Sequence, residues 1–269
     1  MLQIRPPAVA GAFYPRERQV LANDVSALLA GAGAAAPAAA PKALVVPHAG
    51  YVYSGSTAAR AYARLAAARL AIRRVVLLGP VHRVPVRGLA LPGALVFATP
   101  LGQIEVDQAA VRSIAHLPQV VVSAAAHAME HSLEVQLPFL QSVLEQFTLL
   151  PLAVGDATPA EVAEVLELLW GGPETLIVVS SDLSHFLPYH RAQAVDRDTV
   201  EHMLALEGPI SHEQACGGTP VSGLLLAARQ HRLAPELLGL CNSGDTAGDR
   251  NRVVGYAALA FHQETGHAQ

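Results

Sequence analysis

Short apolar runs that stop at a polar turn recur along this 269-residue chain, and they limit its fold more than any other feature. Ala43–Val46, Val75–Gly79, Thr148–Val154 and Thr175–Val179 are too short for buried helices and are rich in branched aliphatic residues. Strands apolar at every position are buried on both faces of a sheet. Segments with apolar spacing of three and four fall among them: Glu17–Leu29, Ser56–Leu70, Asp107–Leu117 capped by Asp107, Thr158–Trp170, Ala192–Leu206 and Val221–His231. Another helix is predicted from Ser132 to about Gln146, kinked or broken at Pro138. Val86–Leu91 and Leu95–Ala98 read as a hairpin, and Glu236–Leu240 and Val253–Phe261 as further strands. The alternation predicts an α/β fold, a three-layer α/β/α arrangement with a mostly parallel central sheet. Residues 1–16 read as an extended arm and Gly31–Pro41 as a low-complexity surface loop. Without an internal repeat or a linker, residues 1–269 read as a single domain.

In such sheets ligands bind beyond the carboxyl ends of the strands. His48, His82, His185 and Cys241 each fall within a few residues of the end of a different apolar run. One histidine after a strand is more often a hydrogen-bonded loop residue than a ligand; several at equivalent positions point to a shared site. Imidazoles with a thiolate suit zinc, copper or iron better than magnesium or calcium. Asp182 is placed either to hold a ligand histidine in one tautomer or to cap a helix starting at Leu183. Glu130 and His131 are candidate supporting or acid–base groups, or a helix start with favourable charge; His127 belongs to the same cluster. Tyr51 and Tyr53 either line the pocket or pack its wall. Cys216, in Ala215-Cys216-Gly217-Gly218, sits at a turn whose glycines allow close backbone approach, and it ranks below Cys241 as a ligand. Ser243–Thr246 reads as a tight turn. His116, His190, His202, His212, His231, His262 and His267 read as ordinary surface or packing histidines.

Composition removes several classes. A net charge of -4 and 5% aromatic residues give no argument for nucleic-acid binding. The 52% hydrophobic content supports a sizeable core, yet no run is long enough to cross a membrane, and the start lacks a signal-peptide pattern. A cytoplasmic location is expected. The 2 cysteines are too few for a disulfide framework, whereas 12 histidines are many for so weakly charged a chain. No Gly-x-Ser-x-Gly elbow, phosphate-binding loop or dinucleotide glycine pattern is present. Cys241 with a histidine as a nucleophile pair is the weaker alternative to a metal.

Pro47–Gly55 (PHAGYVYSG), Gly79-Pro80-Val81-His82, Glu130-His131-Ser132-Leu133-Glu134 with Leu137-Pro138, Ser180–Phe186 (SSDLSHF) and Cys241–Asp245 (CNSGD) together resemble the Memo family. That family is named after a mediator of cell motility, and its prokaryotic members are called AmmeMemoRadiSam system protein B. Arg5–Pro15 is similar to the family's N-terminus, and the match runs to about residue 261. Val81 departs from the small polar residue expected there. The resemblance implies a fold like that of class III extradiol non-haem iron dioxygenases, with His48, His82, His185 and Cys241 as pocket residues and Asp182 as the aspartate. It implies a metal-dependent oxidoreductase holding Fe(II) or copper, with zinc less suited, through His48, His82 and Cys241. His185 would be a fourth ligand or an acid–base group oriented by Asp182, and the open position would take O2 or a small substrate. A thiolate in place of the usual carboxylate argues against ordinary ring cleavage. The alternatives are a peptide- or protein-binding adaptor using the same pocket, or a partner of a radical-SAM protein. Low surface charge and the lack of an arginine cluster argue against phosphate-dependent recognition.

Overall fold

The computed structural model describes residues 3–33 and 40–263, so most of the predicted 31–41 loop, and His267, lie outside the described residues. In chain order the elements are β1 Ile4–Arg5, α1 Arg18–Gly31, β2 Ala43–Val46, α2 Tyr51–Tyr62, β3 Arg74–Pro80, β4 Leu89–Leu91, β5 Val96–Thr99, β6 Gly102–Glu105 and α3 Gln108–Ile114. They continue with β7 Val120–Val122, α4 Ala124–Ala128, α5 Leu137–Val143, β8 Thr148–Val154, α6 Pro159–Leu169, β9 Thr175–Ser180 and β10 His185–Leu187. The last are α7 Tyr189–Leu204, α8 Gly218–Gln230, β11 Leu233–Asn242 and β12 Val253–Gln263.

The fold is mixed α/β around a 9-stranded sheet ordered β10-β12-β2-β9-β3-β8-β4-β7, with β11 also paired to β12. Its centre, β2-β9-β3-β8, is parallel. Both flanks turn antiparallel, where β4 joins β8 and where β12 joins β2, β10 and β11. The sheet is therefore mixed rather than mostly parallel. The reason is local: β11 and β12 are joined by a short connection, which can only return the chain antiparallel.

The all-apolar strands behave as their sequences require. In β2, Leu44 and Val46 enter one core while Ala43 and Val45 enter the other, as the two-residue period of a strand demands. Residues of α1, α2 and α5 fill the first core; residues of α3, α6, α7 and α8 fill the second. The β2, β3 and β9 ends thus emerge at one edge between two buried layers. No described helix is long and apolar enough to cross a membrane.

Several boundaries differ from the sequence reading. The helix expected from Ser56 begins at Tyr51, so the His48 turn is short and the tyrosines lie in the first helical turn. Pro138 does not kink a long helix; it lies in the first turn of α5, where its missing N–H is harmless. Nor does the α-helix begin at Ser132, whose hydroxyl donates to the Pro80 carbonyl at 2.8 Å. The two runs expected as a hairpin part company, because β4 joins the large sheet while β5 pairs with β1 and β6 in a separate 3-stranded sheet. Asp107 does cap α3, accepting from the Ala110 N–H at 2.9 Å, and Thr158 with Glu161 forms a capping box on α6.

The N-terminal arm is held by one buried carboxylate. Glu134, fully buried, accepts from the Arg5 guanidinium, from the Ala8 and Val9 N–H groups at 2.7 and 3.0 Å, and from the Tyr14 hydroxyl. Arg5 also donates to the carbonyls of His127 and Glu130 at 3.0 and 2.6 Å. Removing one member of a buried pair leaves the other uncompensated, at about 3–5 kcal/mol. Arg5→Ala is expected to lose stability on that scale in urea unfolding; a loss below about 1 kcal/mol would show that the pair is not buried in solution.

Candidate metal centre

His48 follows β2 by two residues and is 2% exposed. Its N–H donates to Asp182 Oδ1 at 2.7 Å, and its ring Nδ1 lies 2.9 Å from Ser180 Oγ. The Ser180 hydroxyl gives its only proton to the Ser132 carbonyl at 2.6 Å and accepts from Gln136 Nε2 at 2.8 Å. It has only a lone pair left for His48, so Nδ1 must carry the proton and Nε2 must be bare. Burial, reinforced by the neighbouring rings of His131, His82 and His185, holds the His48 pKa well below the ordinary histidine value.

His82 lies just beyond β3 and is more open. Its N–H donates to Glu130 Oε2 at 2.6 Å, and its Nδ1 lies 2.9 Å from Glu130 Oε1. A carboxylate only accepts, so here too Nδ1 is the donor, and in the neutral ring Nε2 is bare. Glu130 Oε1 also accepts from the His131 and Ser132 N–H groups, each at 2.9 Å. Burial alone would raise this carboxyl, but the hydrogen bond and close approach of the His82 ring, with the Ser132 and His82 N–H groups, outweigh it and hold the pKa at about 2.

His131 completes a group. One ligand atom each from His48, His82 and His131 lies within 4.8 Å of the others. The ring centroids are 5.2 Å apart for His48–His82, 5.3 Å for His48–His131 and 4.5 Å for His82–His131. Burial, then the neighbouring His82 ring, lowers the His131 pKa to about 4. Phe13 from the N-terminal arm packs on this ring at 4.7 Å.

The cysteine that reaches His48 is Cys216, whereas Cys241 lies on β11. Cys216 Sγ stands 3.3 Å from the bare Nε2 of His48. Burial, with the Asp182 charge behind it, pushes its thiol up to about 12. The Gly217 N–H donates to Ser181 Oγ at 2.9 Å, and a Cβ on Gly217 would sit 2.7 Å from the Ser181 Cβ. Only glycine lets the cysteine turn approach the β9 end so closely. Cys241 lies on β11 opposite Tyr256 of β12. Since β12 separates β11 from β2, Cys241 is two strand spacings, roughly 10 Å, from the His48 strand. Its Sγ lies 3.0 Å from Thr57 Oγ1, and it lines a separate small cavity with Asp196 and Asn242.

The remaining expected residues divide. His185 starts the separate strand β10 and lines a cavity of about 540 Å³ with His82 and Cys216, on the open side of the histidine group. Burial lowers its pKa. Asp182 neither starts a helix nor reaches the His185 ring: it accepts the His48 N–H, and burial pushes it up to about 7. Tyr51 is wall packing, its buried hydroxyl donating to the Val135 carbonyl at 2.8 Å, while Tyr53 is partly exposed. His127 is buried elsewhere, its Nε2 2.7 Å from the Ala90 carbonyl. Ser180 and Gln136, which set the His48 proton, and Glu134 were given no role from the sequence, although Ser180 and Glu134 lie in the family-like stretches.

Comparison with known proteins places this arrangement. The family model described as "Memo-like protein" matches residues 5–260. A "MEMO1 family protein" of Aquifex aeolicus is 36% identical over 97% of this chain and 100% of its own length. A "MEMO1 family protein" of Methanosarcina barkeri is also 36% identical, over 95% of this chain and 99% of its own. Among solved structures, an uncharacterized protein, JW3007, from Escherichia coli K12 aligns with TM-score 0.50 and 15% identity, covering 81% of this chain and 98% of that one, a likeness of fold.

The Glu130 carboxyl has a consequence for stability. Its ordinary value is 4.5 and its folded value about 2, so its contribution is complete above the unfolded value and is lost as pH falls through the folded one. In the metal-free protein, Glu130→Gln is expected to be about 3 kcal/mol less stable than wild type near neutral pH, the gap narrowing by about 1 kcal/mol at about pH 3.5. Urea unfolding at both pH values checks this; a gap that widens on acidification would contradict it.

Proposed function

The chain belongs to the Memo family, and from that membership we propose that its histidine pocket binds one transition-metal ion as the centre of an oxidoreductase. The supporting observation is the proton bookkeeping: the hydroxyl of Ser180 and the carboxylate of Glu130 each leave a bare Nε2, on His48 and His82, beside the other donors. In this reading His48 and His82 are the anchoring ligands, and His131 and Cys216 complete the donor set in place of Cys241.

The donor chemistry fits such an ion. Imidazoles with a thiol suit iron(II) or copper, and zinc is the less suited of the three on the expected redox role. Hard magnesium or calcium is disfavoured, because Glu130 is committed to N–H groups of His82, His131 and Ser132, which leaves one carboxylate oxygen near the site, Asp182 Oδ2 at 4.0 Å from His48 Nε2. The Cys216 thiol, protonated when buried alone, needs an adjacent cation to ionise. When bound, the metal supplies Lewis acidity and a redox couple.

The chain's own residues supply the rest. Ser180 and Glu130 keep both ligand rings in one tautomer and orientation. Phe13 shields the His131 ring from one side. His185, neutral near pH 7 and facing the open cavity, accepts a proton from a substrate bound there. The fold implied is that of class III extradiol dioxygenases, with a three-layer arrangement, and a cytoplasmic setting is in keeping with free cysteines.

Metal analysis after anaerobic purification tests the reading. Wild type and Cys241→Ser are expected to carry about one ion per chain, while His48→Ala and His82→Ala weaken retention by at least about 100-fold. Stoichiometric metal retained by a His48→Ala/His82→Ala double variant would overturn it.

A further inference from the structure

Against a net charge of -4, three arginines stand on the pocket wall or next to residues that line it. Arg191, in the first turn of α7, lines the same cavity of about 540 Å³ as His82, His185 and Cys216. Arg83 follows His82 directly, and the Arg252 guanidinium lies 4.8 Å over the ring of Phe186, the neighbour of His185. Among the described residues, none of these arginines pairs with a carboxylate, unlike Arg5, Arg64, Arg69 and Arg74. The first turn of α7 carries no acid either, although a helix start favours one. An unpaired guanidinium on a cavity wall is a fork waiting for an oxyanion. The cavity is in the size range that takes a small organic ligand.

Its other lining residues narrow the anion. Glu213 is the one acid on the wall and opposes a second negative charge. Leu187 and Val195 give the same cavity an apolar side. We infer that the substrate is a small monocarboxylate with an apolar body, held by Arg191 at the carboxylate so that its far end meets His185 and the histidine group. Arg191 is then a specificity-determining residue. Arg83 and Arg252 steer anions to the mouth, an effect that salt screens. His212 also lines the cavity, but its ring nitrogens face the Cys216 carbonyl and the Thr219 hydroxyl at 3.3 and 3.4 Å.

This inference rests on the metal pocket of the preceding reading, yet the two fail separately. The full-length protein is loaded with Co(II) and titrated with benzoate, with benzyl alcohol as its neutral counterpart and with inorganic phosphate, following the cobalt visible bands and, in parallel, calorimetry. Benzoate is expected to bind and perturb the bands, Arg191→Gln to weaken it about tenfold or more, and Arg191→Lys to weaken it less. Glu213→Gln should tighten benzoate, and benzyl alcohol should bind poorly to every variant. Absence of cobalt bands sinks the metal reading, and calorimetry still reports on the wall. Benzoate affinity equal in wild type and a folded Arg191→Gln, benzyl alcohol binding as tightly as benzoate, or phosphate outcompeting benzoate would each overturn the monocarboxylate assignment.

Discussion

A single carboxylate, Glu130, ties together the loops that make this site. It receives the main-chain and ring N–H groups of His82 from beyond β3, and the N–H groups of His131 and Ser132 from its own segment. It holds the β3 loop against the segment ahead of α5, where the His82 and His131 rings stand 4.5 Å apart. The same segment repeats the device at every second residue. Ser132 donates to the Pro80 carbonyl, Glu134 gathers the N-terminal arm, and Gln136 donates to the Pro47 carbonyl and Ser180. These polar side chains are all at most 2% exposed, and each is partnered, as burial requires. One stretch of chain thus pins the arm, the β2 end, the β3 end and the β9 end.

That network does more than hold a shape. A buried hydroxyl has one proton to give; Ser180 spends it on the Ser132 carbonyl, which forces the proton of His48 onto Nδ1. Glu130 does the same for His82 by having no proton at all. The two open nitrogens are therefore a result of hydrogen-bond arithmetic at a distance from the site. Cys216 reaches the first of them only because Gly217 allows the cysteine turn against Ser181.

Much of this was legible in the sequence. The apolar runs located the strand ends, and these in turn located His48 and His82. Glu130 and His131 were visible as a polar pair before a helix. Cys216 rather than Cys241 reaches His48 for a topological reason: Cys241 ends an apolar run as His48 does, but pairing order cannot be read from periodicity, and β12 lies between the two strands. Cys216 is instead on the turn before α8, with only its glycines as a signal. Ser180 and Glu134 stood inside the family-like stretches with no role of their own and Gln136 stood outside them, because buried polar residues that serve a network look like ordinary surface residues in a string of letters. The arginines near the pocket were invisible for a similar reason. Arg83, Arg191 and Arg252 are far apart in sequence, and only the fold sets Arg191 on the cavity wall and Arg252 over Phe186.

The central claim is that Cys216 supplies the sulfur beside the two bare imidazole nitrogens. X-ray absorption at the edge of the bound metal tests it most directly. The account predicts a sulfur scatterer at about 2.3 Å in wild type and in Cys241→Ser, replaced by nitrogen or oxygen alone in Cys216→Ser. A sulfur shell that survives in Cys216→Ser and disappears in Cys241→Ser would contradict it.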